Sequence, residues 1–261
     1  MKTSNKKNTI FGVLGGRASK ILVLGLLGLL VTFTSCSSDD DARIDPDDLA
    51  GLMAMNMIVD QEAVGVSLSG SHVGNFPFRG YTGGYVNIFP GNRSADAFSV
   101  YNRNTLATIS FTYEPGKYYS LFMIGLKENY ENIVVEDNLN DLKSEEGMAY
   151  IRYINGIATD KNPELTVSAK EELFSEEAVY GEVSSFEKIP AGELIFNLTD
   201  GDEIDAERTV KLEEGRVYTF LLVGNPDNRD GTKEVQIRYI ENGWLTEDID
   251  SEKAAAILKQ K

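Results

Sequence analysis

One stretch of this chain occurs twice, and the repetition constrains the fold more than any other feature. FTYEPGKYYSLFMIG (111–125) lies over VKLEEGRVYTFLLVG (210–224) at an offset of 99 residues. In each copy a strand runs into a turn with Glu, then Gly116 or Gly215, then Lys117 or Arg216. A Tyr-rich apolar strand follows and ends at Gly125 or Gly224. Self-similarity over about a hundred residues points to two units of one architecture in series. Further matches are looser. GLMAMNMIV (51–59) fits GMAYIRYIN (147–155) at offset 96, and NIFPG (87–91) corresponds to KIPAG (188–192). Unequal offsets imply small loop insertions, which cost little entropy.

Within each unit the apolar residues alternate over short runs, as in AFSVY (97–101) and LATISFTY (106–113), separated by Gly, Pro, Asn and Asp. Period-two alternation with frequent turn signals predicts an all-β chain of two tandem antiparallel, immunoglobulin-like β-sandwiches. The units are placed at 49–143 and 144–245, with DLKSEEGMA (141–149) at the junction. Residues 246–261 are expected to form a short helical tail, capped by Ser251 and propagated by Ala, Ile, Leu and Lys. The stripe Tyr119, Leu121, Met123, matched by Tyr218, Phe220, Leu222, is read as core. Gly116 and Gly215 supply a positive-φ turn before it.

The amino-terminal end carries a different message. Residues 1–35 hold five basic and no acidic groups, and ILVLGLLGLLV (21–31) forms an apolar run. Extended through Phe33 it reaches 13 residues, short of the ~20 needed to span a bilayer, so it reads as a secretory signal peptide. The run closes on Phe33-Thr34-Ser35-Cys36, which resembles the lipobox of bacterial lipoproteins, with Phe33 where Leu or Val is usual. The resemblance implies cleavage before Cys36, acylation with fatty chains such as palmitate, and a membrane partner reached through the amino-terminal lipid. Two or more chains anchor stably where one does so only marginally. Ser37, Ser38, Asp39, Asp40 and Asp41 look like the acidic export tag of some Gram-negative surface lipoproteins. Three carboxylates resist burial and leave 36–48 as a solvated tether. The expected location is the outer membrane, facing the exterior.

The strand motif at Gly116 and Gly215, the Pro- and Gly-bearing turn before it and the tandem arrangement resemble the bacterial lipoprotein family catalogued as domain of unknown function 4397. That resemblance covers about residues 50–245. It implies an immunoglobulin- or prealbumin-like sandwich outside the cell, with no enzymatic activity and no catalytic residue to carry across.

Composition narrows the function classes. Beyond residue 35 the chain has 20 Lys and Arg against 41 Asp and Glu, which repels a phosphate backbone and argues against nucleic acid. A lone Cys36 cannot form an internal disulfide. A lone His72, in the turn-rich GSHVGN, removes most zinc sites and His-based triads. No nucleotide, zinc-protease or serine-hydrolase motif appears, and no cofactor is implied. The acidic run GDEID (201–205), with Asp202 and Glu203, and the pair Glu213-Glu214 lie in predicted turns rather than in a glycosidase-like pair. NPDNRDG (225–231) lacks the ligand spacing of a calcium loop. The feature left over is the Gly-rich segment around GYTGGYVN (80–87), an irregular loop or edge strand flanked by Phe76, Phe78, Tyr81 and Tyr85. Loop aromatics of this kind stack on sugar rings or anchor a protein, so an extracellular glycan or protein ligand is the expected partner. Trp244, where the last strand meets the tail, is expected to pack against that helix. The reading is a non-enzymatic adhesion or ligand-binding module. The alternatives are a structural subunit of an envelope or pilus-type assembly, or a glycan-processing enzyme.

Overall fold

The computed structural model describes residues 48–159, 161–228 and 233–245. The signal peptide, Cys36, the acidic tag, nearly all of the tether and the helical tail expected at 246–261 lie outside the described residues, as does part of the NPDNRDG loop.

Four four-stranded sheets account for the described chain. In order across the first sheet come β4 (Val86–Ile88), β1 (Ala50–Asn56), β7 (Tyr118–Leu126) and β8 (Asn129–Glu136). Facing it is the sheet of β3 (Ser71–Pro77), β2 (Ala63–Leu68), β5 (Gly91–Ser99) and β6 (Thr105–Tyr113). The second half repeats this order. One sheet is β12 (Glu187–Pro190), β9 (Met148–Asn155), β15 (Arg216–Val223) and β16 (Gln236–Trp244). The other is β11 (Glu172–Glu177), β10 (Glu164–Ser168), β13 (Gly192–Thr199) and β14 (Asp205–Leu212). His72 therefore stands in strand β3, paired with Ser67, rather than in a turn. Between the halves the linker makes only a single 3₁₀ turn, Leu139–Asp141.

Two details depart from the sequence reading. First, the sandwiches are not wholly antiparallel: β1 runs parallel to β7, and β9 parallel to β15. A parallel neighbour needs a long crossover; strands β2, β3, β5 and β6, or β10, β11, β13 and β14, supply it by building the facing sheet on the way, with β4 or β12 returning to the edge of the first. Second, the first strands align at offset 99, not 96. Leu52 pairs with Tyr119, and Ile151 with Tyr218. Asn56 and Asn155 confirm the register. Each side-chain carbonyl accepts the N–H two residues on (Ile58 or Ile157), and each amide donates to a main-chain carbonyl about twenty residues on (Phe76 or Ala178). The apolar run of β1 has no polar landmark except this Asn, so apolar similarity alone slides by three residues.

The hydrophobic cores follow from the register. Leu52, Ala54, Tyr119, Leu121 and Met123 pack against Val64, Val66, Ala95 and Ala97 inside the first sandwich. Ile151, Tyr218, Phe220 and Leu222 pack against Leu165, Val167, Leu194 and Phe196 inside the second, with Phe196 stacked on Phe220 at 3.9 Å. The intervening residues are buried as well. Met53, Met55, Met57, Phe122 and Ile124 meet Ile154, Leu221, Val223 and Ile240 in a third core between the two sandwiches. Strands β1, β7, β9 and β15 are thus covered on both faces, which is why their sequences run apolar without alternating. Hairpin glycines complete the repeat. Gly125 and Gly224 have φ of 131° and 138°, and a Cβ there would sit 2.2 Å from Asn129 O or 2.3 Å from Glu234 O.

Candidate functional site

The four aromatics flanking the Gly-rich segment do not form one exposed platform. Phe76 lies in the first core. Phe78 packs against the core between the sandwiches, with the Arg79 guanidinium 4.9 Å from its ring centroid. Tyr81 is 38 % exposed and bridges to Met55. Residues 79–82 continue the short edge strand β4 along β1. Arg79 N–H donates to Asn56 O, Asn56 N–H to Gly80 O, and Thr82 N–H to Ala54 O. The segment satisfies an otherwise bare strand edge, so its side chains are drawn toward the body.

Tyr85 is drawn furthest. Its hydroxyl donates to Asp137 Oδ2 and accepts from Asn242 Nδ2 at 2.9 Å. Asp137 also accepts from Ser120 Oγ at 2.9 Å and pairs with Arg152 Nη2 at 2.6 Å. Arg152 donates to Thr219 Oγ1 and to Ser120 Oγ, both at 2.9 Å, and Thr219 donates to Asn242 Oδ1 at 2.6 Å. These six residues close a polar ring across the junction. The Arg152 and Asp137 side chains are 3 % and 0 % exposed. Burial, then the Asp137 charge, pushes the Tyr85 hydroxyl far above its usual pKa, so it stays a donor. The ring also exposes the repeat's asymmetry. By the strand pairing, Arg152 occupies the place of Met53, and Asn242 follows Glu241, the partner of Tyr218, as Asp137 follows Glu136, the partner of Tyr119.

Beside the ring, on the Tyr85 side, opens a cleft of about 440 Å³. One wall is Tyr85 and Tyr118, whose rings meet edge to face at 4.9 Å. The others are Leu139, Asn140 and Leu142 of the linker and Val217, Asn242 and Trp244 of the second sandwich. Trp244 is 64 % exposed, with the Arg216 guanidinium 4.5 Å from its ring centroid. Arg216 is itself held by Glu213 and Glu241 at 3.3 and 3.2 Å. No lining side chain carries a formal charge. The cleft offers aromatic faces, hydroxyls and amides, and neither nucleophile nor carboxylate.

Other surface features do different work. Asp202 and Glu203 stand on an exposed turn. Their N–H groups and that of Ile204 donate to Asp200 Oδ1 at 2.7–2.9 Å, and Asp202 pairs with Lys161 at 3.3 Å. Among the described residues no group of three or more His, Cys, Asp or Glu is placed to hold a metal ion, and no helix is long and apolar enough to cross a membrane. The sequence patterns do not single out Tyr118, Asn140 or Asn242 as lining a site, and the packing expected of Trp244 concerns a tail that lies outside the described residues. Two signals were available. Tyr118 lies off the core stripe, where the second copy has Val217, and Arg152 is a lone charge in an otherwise apolar strand.

Among solved structures, the chain is similar to a candidate cell adhesion protein from Bacteroides ovatus (6% identity, 77% of this chain and 99% of that one, TM-score 0.24). It is similar to family 41 carbohydrate-binding modules from streptococcal virulence factors, described for alpha-glucan recognition (13% identity, 72% and 96%, TM-score 0.24). It is also similar to a candidate cell adhesion protein from Bacteroides uniformis (8% identity, 76% and 100%, TM-score 0.22). No curated protein matches the chain. Residues 50–161, spanning the first sandwich and strand β9, match the family described as Domain of unknown function (DUF4397).

Proposed function

We propose that this protein is a lipid-anchored, non-enzymatic ligand-binding module of the cell envelope, built from two copies of one family domain and facing outward. The observation that carries the reading is the cleft at the junction. It is uncharged and aromatic, holds an exposed tryptophan, and is formed only where two sandwiches are locked together. The repeated strand order and the 99-residue register support the second copy. The leader, Cys36 and the acidic run Ser37–Asp41 support export and tethering. Pairing of exposed edges in an envelope assembly has less behind it, since the edge strand β11 carries Glu172, Glu176 and Glu177.

Protease and antibody access to a C-terminal tag on intact cells tests the location. Wild type is expected to be accessible, Cys36→Ala to lose the membrane fraction, and replacement of Asp39, Asp40 and Asp41 by Ala to hide the tag. A wild-type protein hidden in intact cells overturns the outward-facing reading and favours the assembly role.

A further inference from the structure

Resting on the reading of the junction cleft as a ligand site, we propose the class of its ligand: a neutral oligosaccharide, one sugar ring lying against Trp244 and its hydroxyls met by Tyr118 and Asn140. Three observations converge. The first is the tryptophan. It is the single Trp of the chain, it leaves 64 % of its surface to solvent, and it is not loose. Arg216 lies over its ring, and two carboxylates hold Arg216. A rigid exposed aromatic face loses little entropy on binding and matches the C–H face of a sugar ring.

The second is the polar inventory. The Tyr118 hydroxyl, the Asn140 amide and the Trp244 indole N–H have no hydrogen-bond partner among the described residues. The amide of Asn242, by contrast, is held by Tyr85 and Thr219. Free donors and acceptors beside a fixed ring suit a polyhydroxylated ligand, since each hydroxyl both donates and accepts.

The third is charge. The chain carries a net −16, yet the lining has no charged side chain. A uronic acid, sialic acid or phosphorylated sugar would meet repulsion from the surrounding surface, and the cation that lies against Trp244, Arg216, is already paired with Glu213 and Glu241. A volume near 440 Å³ suits two or three sugar rings at an open surface.

Because Trp244 is the only tryptophan, its emission reports the cleft directly. The intact chain is titrated with maltoheptaose, cellohexaose, mannohexaose and a galacto-oligosaccharide, with oligogalacturonate and a sialylated oligosaccharide as anionic comparators. Fluorescence and calorimetry are read together. At least one neutral sugar is expected to shift the emission saturably. Calorimetry is expected to show at least tenfold weaker binding for Trp244→Ala, about threefold for Asn140→Ala, and no change for Tyr101→Ala on a distant exposed loop. Silence of every neutral sugar, or a response to the anionic ones alone, overturns the ligand class. If neutral sugars are silent while Trp244→Ala abolishes attachment of the protein to a host or bacterial surface protein, the cleft stands as the site and only its ligand class falls. Sugar binding that survives both Trp244→Ala and Asn140→Ala overturns the site as well.

Discussion

Replacing Arg152 by Met tests whether the two sandwiches are one thermodynamic body. Met is what the first copy carries at the matching position, Met53, so the substitution asks whether the junction tolerates the other copy's residue. It removes the ion pair to Asp137 and the hydrogen bonds to Thr219 and Ser120. It also removes a guanidinium 4.3 Å from the Phe186 ring centroid. Asp137 is left buried with a negative charge and two remaining donors, Ser120 and Tyr85. Breaking one side of a buried pair costs roughly 3–5 kcal/mol. Since two donors still face the carboxylate, about 3 kcal/mol is expected. At a urea dependence of ~2 kcal/mol per molar, the midpoint falls by ~1.5 M, read by Trp244 emission and far-UV circular dichroism. The double variant Arg152→Met with Asp137→Asn removes both charges and installs the residue the second copy holds there, Asn242. It is expected to be more stable than the single variant by about 2 kcal/mol, because no buried charge is left without its partner, so the two substitutions are far from additive. A single variant within about 1 kcal/mol of wild type, or a strictly additive double variant, would refute the argument that the ring is buried, paired and locks the junction.

Other expectations follow from the repeat. Tyr119→Phe and Tyr218→Phe each remove a hydroxyl that accepts a backbone N–H, of Glu114 and Glu213 at 2.9 and 3.0 Å. Each is expected to lose about 1 kcal/mol in equilibrium denaturation, and clearly unequal losses would break the equivalence. Gly125→Ala and Gly224→Ala drive a methyl into backbone at a positive φ. Roughly 3 kcal/mol or more is expected, or failure to fold, against about 1 kcal/mol for Gly70→Ala, where a Cβ meets open space. Asp200 is held below the ordinary carboxylate range, first by the Ile204 N–H and then, against some burial, by those of Asp202 and Glu203. A depressed folded-state pKa means that its stabilisation is complete above the unfolded value near pH 4 and is lost as pH falls through the folded value. Asp200→Asn should therefore flatten part of the acid limb of stability against pH; an unchanged acid limb refutes this.

The duplication, the strand periodicity and the inward stripe of Tyr119, Leu121 and Met123 are legible in the sequence because each is local. Alternation is written by one buried face, and a repeat keeps its turn glycines wherever a backbone requires positive φ. The second face of β1, β7, β9 and β15 is not local. Met53, Met55, Phe122 and Leu221 have the composition of any core, and only the docking of one sandwich on the other shows that they bury a second surface. The same holds for the cleft. Tyr118 and Tyr119 are adjacent in the chain, and a pleated strand sends one to the core and its neighbour to the junction. Arg152 announces itself as a charge in an apolar strand, but its partner Asp137 lies on a strand end in the other sandwich. Tertiary structure decided which aromatics stay in water, because exposure is a property of what packs on a face, and the sandwich that packs on this one comes from about a hundred residues away.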